Sequence, residues 1–196
     1  MRQEELWDQL YSNQPRAWRG NARIPDPLGG RGEALDVGCG NGKTSSKLID
    51  LGYRTTGVDF SGKAVESCTE LLGDRASFRM ASATELPFPD GSFDYITAVH
   101  VLEHLTDDEL SVAVSEFTRI LRNGGFIFTR TFSDGDLRST KRAEGDIRYI
   151  YRGPETMTSF FGGLDCISAQ LIEETTRFGA VRSRVECLFR KGLEKA

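Results

Sequence analysis

Residues Ala34 to Thr44 read Ala-Leu-Asp-Val-Gly-Cys-Gly-Asn-Gly-Lys-Thr. The run begins as an apolar strand carrying one acid, Asp36, and then breaks into glycines at alternate positions, Gly38, Gly40 and Gly42. Glycine has no Cβ, so it admits backbone angles and close approaches that other residues forbid. A strand that feeds such a loop, with helical periodicity after it, builds a floor for a nucleotide-like ligand.

The pattern around this run is regular. A strand at 34–38 and a helix at about 42–51, ended by Gly52, are followed by a second strand from Arg54 to Asp59. Ser61 is a suitable N-cap for a helix that reaches Leu72 and stops at Gly73. A third strand covers Ser77 to Ala81, and Phe93 to Val99 is the nearly continuous apolar run of a strand buried on both faces. Thr106 or Asp107 caps the next helix, which runs to Leu121, where Asn123-Gly124-Gly125 stops it before a fifth strand from Phe126 to Phe132. Pro154 suits the first position of a short helix that ends near Gly162-Gly163. Alternating stretches at about 165–177 and 181–190, joined by Phe178-Gly179-Ala180, predict an antiparallel hairpin. Ahead of the glycine run, residues 3–11 predict a short helix carrying Leu6, Trp7 and Leu10, and residues 12–33 a loop. Five strand-helix units in succession predict an α/β fold, a parallel sheet with helices on both faces.

With 196 residues, one domain is expected. The net charge of -4 is spread mildly, with 11 basic and 10 acidic residues in 134–196, so neither half has the strongly basic surface that duplex nucleic acid requires. Cys39, Cys68, Cys166 and Cys187 form no C-x-x-C pair, which argues against a zinc site or a disulfide framework. The charged start, Met1-Arg2-Gln3-Glu4-Glu5, does not read as a signal peptide, and no apolar run is long enough for a membrane span. A cytoplasmic location without membrane attachment is the expectation.

Three cofactor classes use glycine-rich floors, and spacing separates them. A phosphate-cradling loop needs G-x-x-x-x-G-K-[ST]; Gly42-Lys43-Thr44 supplies the tail, but Val37 stands where the first glycine belongs. The dinucleotide fingerprint G-x-G-x-x-G begins at Gly38 and Gly40 but meets Lys43 at its third glycine, although Asp59 lies where a ribose-binding acid belongs. The third class fits. The run resembles motif I of the class I S-adenosylmethionine-dependent methyltransferases, an acid-containing strand followed by G-x-G-x-G. Further matches follow in order: Thr56-Gly57-Val58-Asp59-Phe60-Ser61, the stretch Ala83 to Asp94, His100-Val101-Leu102-Glu103-His104-Leu105, and Arg119 to Gly125. The likeness covers residues 34–133 well.

The resemblance implies a three-layer αβα sandwich on a mostly parallel seven-stranded sheet, order 3-2-1-4-5-7-6, with an antiparallel C-terminal hairpin. It divides the chain into an N-terminal lid at 1–33, a cofactor core at 34–133, an acceptor-side insertion at 134–163 and a closing hairpin at 164–196. It implies S-adenosylmethionine as cofactor, leaving S-adenosylhomocysteine. In that reading Gly38, Cys39 and Gly40 pass under the cofactor's tail and ribose, and Asp36 orders the loop or reaches the ammonium group. Asp59 offers its carboxylate to the ribose hydroxyls, and Phe60 covers an adenine face. Where the family often has an acid after strand three this chain has Ser82, so Ser82 or the Ala83 backbone would take that contact.

His100-Val101-Leu102-Glu103-His104 also spells H-x-x-E-H, a metalloprotease signature, and holds both histidines of the chain. It falls at a strand-to-helix turn and not within a helix, so no metal is expected. Glu103 and His104 are expected to brace the next helix. His100, directly after strand four, is expected to line the site and is the candidate general base, because histidine exchanges its proton near neutral pH. Methyl transfer from a sulfonium relies on positioning and needs a base only when the acceptor must lose a proton.

Acceptor recognition is expected from residues 1–30 and 133–160. Trp18 and Arg19 are lid candidates over the cofactor, while Trp7 and Tyr11 suit a helix packed on the core. The second segment brings Arg138, Lys141, Arg142, Arg148, Tyr149, Tyr151 and Arg152, partly offset by Asp134, Asp136, Glu144 and Asp146. A small-molecule acceptor is expected. Asn41-Gly42-Lys43 is also similar to a tRNA wobble-uridine methyltransferase family, which keeps RNA as an alternative, and a non-catalytic cofactor-binding partner subunit is the other.

Overall fold

The computed structural model describes residues 2–14, 22–139 and 146–193. Trp18, Arg19, Lys141, Arg142 and Glu144 lie outside the described residues. The chain runs α1 (Gln3–Asn13), β1 (Glu33–Val37), α2 (Lys43–Leu51), β2 (Arg54–Asp59), α3 (Gly62–Leu72), β3 (Ala76–Met80), β4 (Phe93–Val99), α4 (Asp107–Ile120), β5 (Leu121–Phe132), α5 (Pro154–Phe160), β6 (Asp165–Thr175) and β7 (Val181–Arg190). The strands form one sheet in the order β3-β2-β1-β4-β5-β7-β6. Neighbours from β3 to β5 are parallel, whereas β7 runs antiparallel to both β5 and β6. The order reverses direction between β1 and β4, which opens a crevice at the ends of those two strands, below Gly38 and His100.

Local chemistry sets the boundaries. Ser61 Oγ accepts from Ala64 N at 3.2 Å and starts α3. Thr106 and Glu109 close a capping box at the start of α4. Asn123-Gly124-Gly125 behaves differently from the expected helix stop. The helix ends at Ile120, and β5 already begins at Leu121, so the three residues lie inside the strand. Leu121 pairs with Phe93 and Phe126 with Tyr95, so the extra residues bulge between them. Lys191 Nζ takes up the carbonyls of Thr118 and Leu121 at 2.7 and 2.8 Å, which lets the helix pass directly into the strand.

Helices cover the sheet unevenly. On one face α4 and α5 bury Leu110, Phe117 and Met157 against Leu35, Ile96, Ile127, Val185 and Phe189. On the other face α2 packs Leu48 with Ala34, Tyr53, Tyr95 and Phe128, helped by Ile24 and Leu28 from the segment before β1. That segment is pinned through Tyr95 Oη to Pro25 O at 3.0 Å and Tyr53 Oη to Asp26 at 2.5 Å. Helix α1 packs on α3 and buries Trp7 and Tyr11. β7 alternates with period two: Val185, Cys187 and Phe189 are buried in the core below α5, while Arg184, Glu186 and Leu188 line a cavity on the opposite side. Among the described residues no helix is long and apolar enough to cross a membrane.

Candidate active site

The glycine loop is built by positive backbone angles. Gly38, Gly40 and Gly42 have φ of 68°, 51° and 77°. A Cβ on Gly38 would lie 2.1 Å from a methyl of Val101, and one on Gly40 would lie 2.6 Å from Tyr11 Oη. The amides of Gly38 and Cys39 both donate to Val58 O, at 2.7 and 2.9 Å, which locks the loop to the end of β2. Gly40 N donates to Asp59 Oδ2 at 2.9 Å and Ser61 N to Asp59 Oδ1 at 3.0 Å. Asp59 thus joins the loop to the start of α3. Its burial pushes its pKa up to about 6, against the two amide donations and with some help from the charge of Asp8.

Asp36 is buried one residue before the loop's strand ends, accepting from Ser45 Oγ at 2.6 Å and Thr97 Oγ1 at 3.0 Å. Burial pushes its pKa up to about 7. The side chain therefore ties β1 to α2 and β4. Cys39 is buried with Cys68, their sulfurs 3.7 Å apart, and both thiols are free. Sequence separation hides this proximity, since 28 residues intervene. Phe60 packs with Trp7 and Tyr11 of α1. Ser82 is exposed, with its hydroxyl 2.8 Å from that of Thr84, and Ala83 is buried in the core.

A cavity of about 1480 Å³ opens from the glycine loop across the exposed face of β5 and β7. Gly38, Cys39, Gly40 and His100 lie on its wall; Asp36, Asp59, Phe60, Ser82 and Ala83 do not. Helix α1 stands over the loop, with Trp7 and Tyr11 on the cavity wall and Asp8 accepting from Ser61 Oγ at 2.5 Å. Among the described residues, six basic and three acidic side chains line the cavity, an excess of three positive charges in a chain whose net charge is -4.

His100 is the only described non-glycine residue with a positive φ, 60°. Its amide donates to Arg130 O at 2.7 Å, which holds this backbone turn. Its Nδ1 lies 3.0 Å from Glu103 Oε1, and its ring stacks on Phe132 at 4.1 Å. Glu103 is fully buried, and its second oxygen, Oε2, has no hydrogen-bond partner among the described residues. Burial alone would raise its pKa, but the hydrogen bond from His100 and the neighbouring histidine charges outweigh it and hold the carboxyl below its usual range. With Nδ1 engaged by Glu103, the other ring nitrogen is the one left to meet a ligand.

The expected brace under the next helix therefore takes another form. Glu103 orients His100, and the capping of α4 falls to Thr106 and Glu109. His104 Nδ1 pairs with Arg148 O at 2.7 Å, and its ring meets Trp7 at 4.9 Å and Tyr149 at 4.5 Å, both edge-on. The two histidines of the H-x-x-E-H string thus have different partners, and no cluster suited to a metal occurs among the described residues. The cavity wall also carries Lys43, Arg130 and Arg184, none of them among the expected site residues. For Arg184 the signal was faint: arginines alternating through Val181-Arg182-Ser183-Arg184, with period two.

Comparison with known proteins agrees with this geometry. A family described as a methyltransferase domain matches residues 35–129. The chain is 35% identical over 105 residues to the 27-O-demethylrifamycin SV methyltransferase of Amycolatopsis mediterranei, which is 50% of this chain and 38% of that protein. It is 36% identical over 141 residues to the ubiquinone biosynthesis O-methyltransferase of Methylococcus capsulatus, 68% of this chain and 58% of that protein. The chain thus spans well under two thirds of the length of these curated relatives. In structure it is similar to an S-adenosylmethionine-dependent methyltransferase from Methanosarcina mazei, with a TM-score of 0.73 and 21% identity over 88% of this chain and 100% of that one. Residues 35–129 thus match a methyltransferase domain, and the chain has the fold of S-adenosylmethionine-dependent methyltransferases of known structure. Their cofactor is S-adenosylmethionine, and the loop fits it: its glycines leave no room for a Cβ, and an acid closes the second strand beside them.

Proposed function

We propose that this protein transfers a methyl group from S-adenosylmethionine to a small ring-bearing acceptor held in the cavity between α1 and the β5–β7 face. One observation carries the reading: the locked glycine loop, its Gly40 amide held by the strand-end Asp59, and His100, held by Glu103, line a single large cavity. In this reading Gly38, Cys39 and Gly40 form the floor for the cofactor, and Asp59 has lone pairs beyond its two amide bonds for the ribose hydroxyls. Phe60, Ser82 and Ala83 lie beyond Asp59, where the adenine would extend. Asp36 acts indirectly, by holding Ser45 and Thr97 in place beneath the loop. The bound cofactor supplies a methyl group already activated on a sulfonium.

The chain's own task is then to orient the acceptor and receive its proton. His100 is placed for the second part, its ring aimed by an unusual backbone turn and its tautomer set by a buried carboxylate. The aromatic rings of Trp7, His104, Phe132 and Tyr149 favour a flat acceptor. The similar proteins, a rifamycin and a ubiquinone-biosynthesis methyltransferase among them, support a small molecule of this kind.

Calorimetry with S-adenosylhomocysteine tests the cofactor half. The wild-type protein binds it, and Asp59→Ala weakens binding at least about tenfold through the loss of charge-assisted bonds. Equal affinity in the variant would overturn the assignment of Asp59. The acceptor half is tested by S-adenosylhomocysteine release across a panel of hydroxylated ring compounds and transfer RNA. Methylation of RNA alone would replace the small-molecule reading.

A further inference from the structure

The β5–β7 wall of the cavity carries arginines that neither the fold nor the glycine loop requires. Across the ladder Arg184 faces Phe132, and Arg130 faces Glu186. Arg130 has partners at both Nε and a terminal nitrogen: Nε donates to Glu186 Oε1 at 2.7 Å, and the terminal nitrogen reaches Arg23 O. Arg184 differs. One terminal nitrogen meets Glu174 Oε1 at 2.9 Å, and Nε is buried with no hydrogen-bond partner among the described residues. The Arg184 side chain is 20% exposed, but Nε itself is buried, so that N–H lacks both water and protein as a partner among the described residues. We propose that Arg184, with Arg130 and Lys43 supplying the surrounding field, binds an anionic group of the methyl acceptor, the carboxylate of a small aromatic acid. This rests on the methyl-transfer reading above.

Three observations converge on that ligand. The guanidinium fork matches a carboxylate in two parallel bonds, a geometry that no lysine reproduces. The cavity holds its positive excess in an acidic protein, and burial together with the charges of Arg130 and Arg184 lowers the pKa of Lys43. A bound anion would offset this mutual repulsion. Finally, Phe132 pairs with Arg184 on one side and stacks on His100 at 4.1 Å on the other. One aromatic ring therefore separates the anion site from the base, the reach of an acid whose reactive group and carboxylate sit on the same ring. An acid also brings charge opposite to that of a sulfonium donor. Trp7 and Tyr11 of α1 line the same cavity, and their rings suit a small molecule.

The test is calorimetry on the full chain saturated with S-adenosylhomocysteine, titrated with salicylate, 4-hydroxybenzoate and 3,4-dihydroxybenzoate and with their three amides. At least one acid binds about tenfold or more tightly than its amide, the size expected of a charge-assisted pair. Arg184→Gln abolishes that preference and leaves affinity for S-adenosylhomocysteine within about twofold, because β4 and β5 separate the strand of Arg184 from the strand that feeds the loop. Acids no tighter than amides, including no binding by any of the six, overturn the proposal. So does an Arg184→Gln variant, folded by circular dichroism, that loses S-adenosylhomocysteine, since the arginine would then serve the cofactor's own carboxylate. Should that variant unfold, Arg184→Lys carries the test: it keeps the charge, loses the fork and cuts the acid preference at least about threefold. Failure of the wild type to bind S-adenosylhomocysteine would instead overturn the methyl-transfer reading itself.

Discussion

At the β1–β2 end of the crevice, polar side chains are buried and paired within the chain; at the β5–β7 end they line a cavity. Asp36 and Asp59 each accept two hydrogen bonds from neighbouring residues, and the loop between them is held by backbone bonds to Val58. Arg184 and His100, by contrast, stand on the cavity wall. The first end is a rigid cradle whose form depends on backbone geometry. The second is a set of side chains on a regular ladder, which can change identity without disturbing the strands. A cofactor shared by a whole family suits the first, and an acceptor particular to one member suits the second.

The comparison breaks most visibly through Glu103. Replacing it by Gln keeps the shape but removes the charge that sets the His100 tautomer. Turnover of an acceptor that loses a proton falls about 100-fold, the scale of general-base catalysis, while calorimetry shows unchanged binding of S-adenosylhomocysteine. A matching loss of cofactor affinity would mean that Glu103 supports the cradle instead.

Glycine substitutions give the next effect. Gly38→Ala places a Cβ 2.1 Å from Val101 at a φ of 68°. Denaturant unfolding should show a loss of about 2 kcal/mol or more from strain and clash, together with weakened cofactor binding. A Cβ on Gly163, beside α5, would meet nothing within 4 Å, and alanine there changes stability by less than about 0.5 kcal/mol.

The pH dependence follows from Asp59 and Asp36, raised to about 6 and about 7 by burial. Both are harder to ionise in the folded chain than in the unfolded one. The stability they contribute is present at low pH and is lost as pH rises through those folded values. Cofactor binding runs the other way if it uses ionised Asp59: calorimetry between pH 8 and pH 5 should show affinity roughly constant at the alkaline end and falling by about tenfold per unit below about 6. The smallest effect is at the thiols. Cys39, whose pKa is raised well above normal by its hydrogen bond with Cys68 and by burial, resists iodoacetamide while exposed Cys166 is alkylated, as peptide mass spectrometry would show.

Much of this was legible in the sequence, for reasons particular residues make plain. Asp59 and the alternate glycines announced the cradle because backbone constraints are local, and the seven-strand order followed the family likeness. Ser61 and Thr106 marked their helices because caps act within three residues. Asn123-Gly124-Gly125 misled because a bulge against Phe93 depends on a partner strand far away in sequence. Glu103 misled in the same way: as a helix neighbour it reads as a brace, and only burial beside His100 makes it an orienting carboxylate.

What the sequence determined by itself is the cradle: a strand, three glycines and a second strand ending in an acid admit few other uses, because glycine and strand-end carboxylates are constrained by neighbours a few residues away. What only the tertiary structure decided is the far wall of the cavity. Arg184, Phe132 and His100 come from β7, β5 and the turn after β4, and their meeting depends on strand register and on which side of the sheet each residue faces.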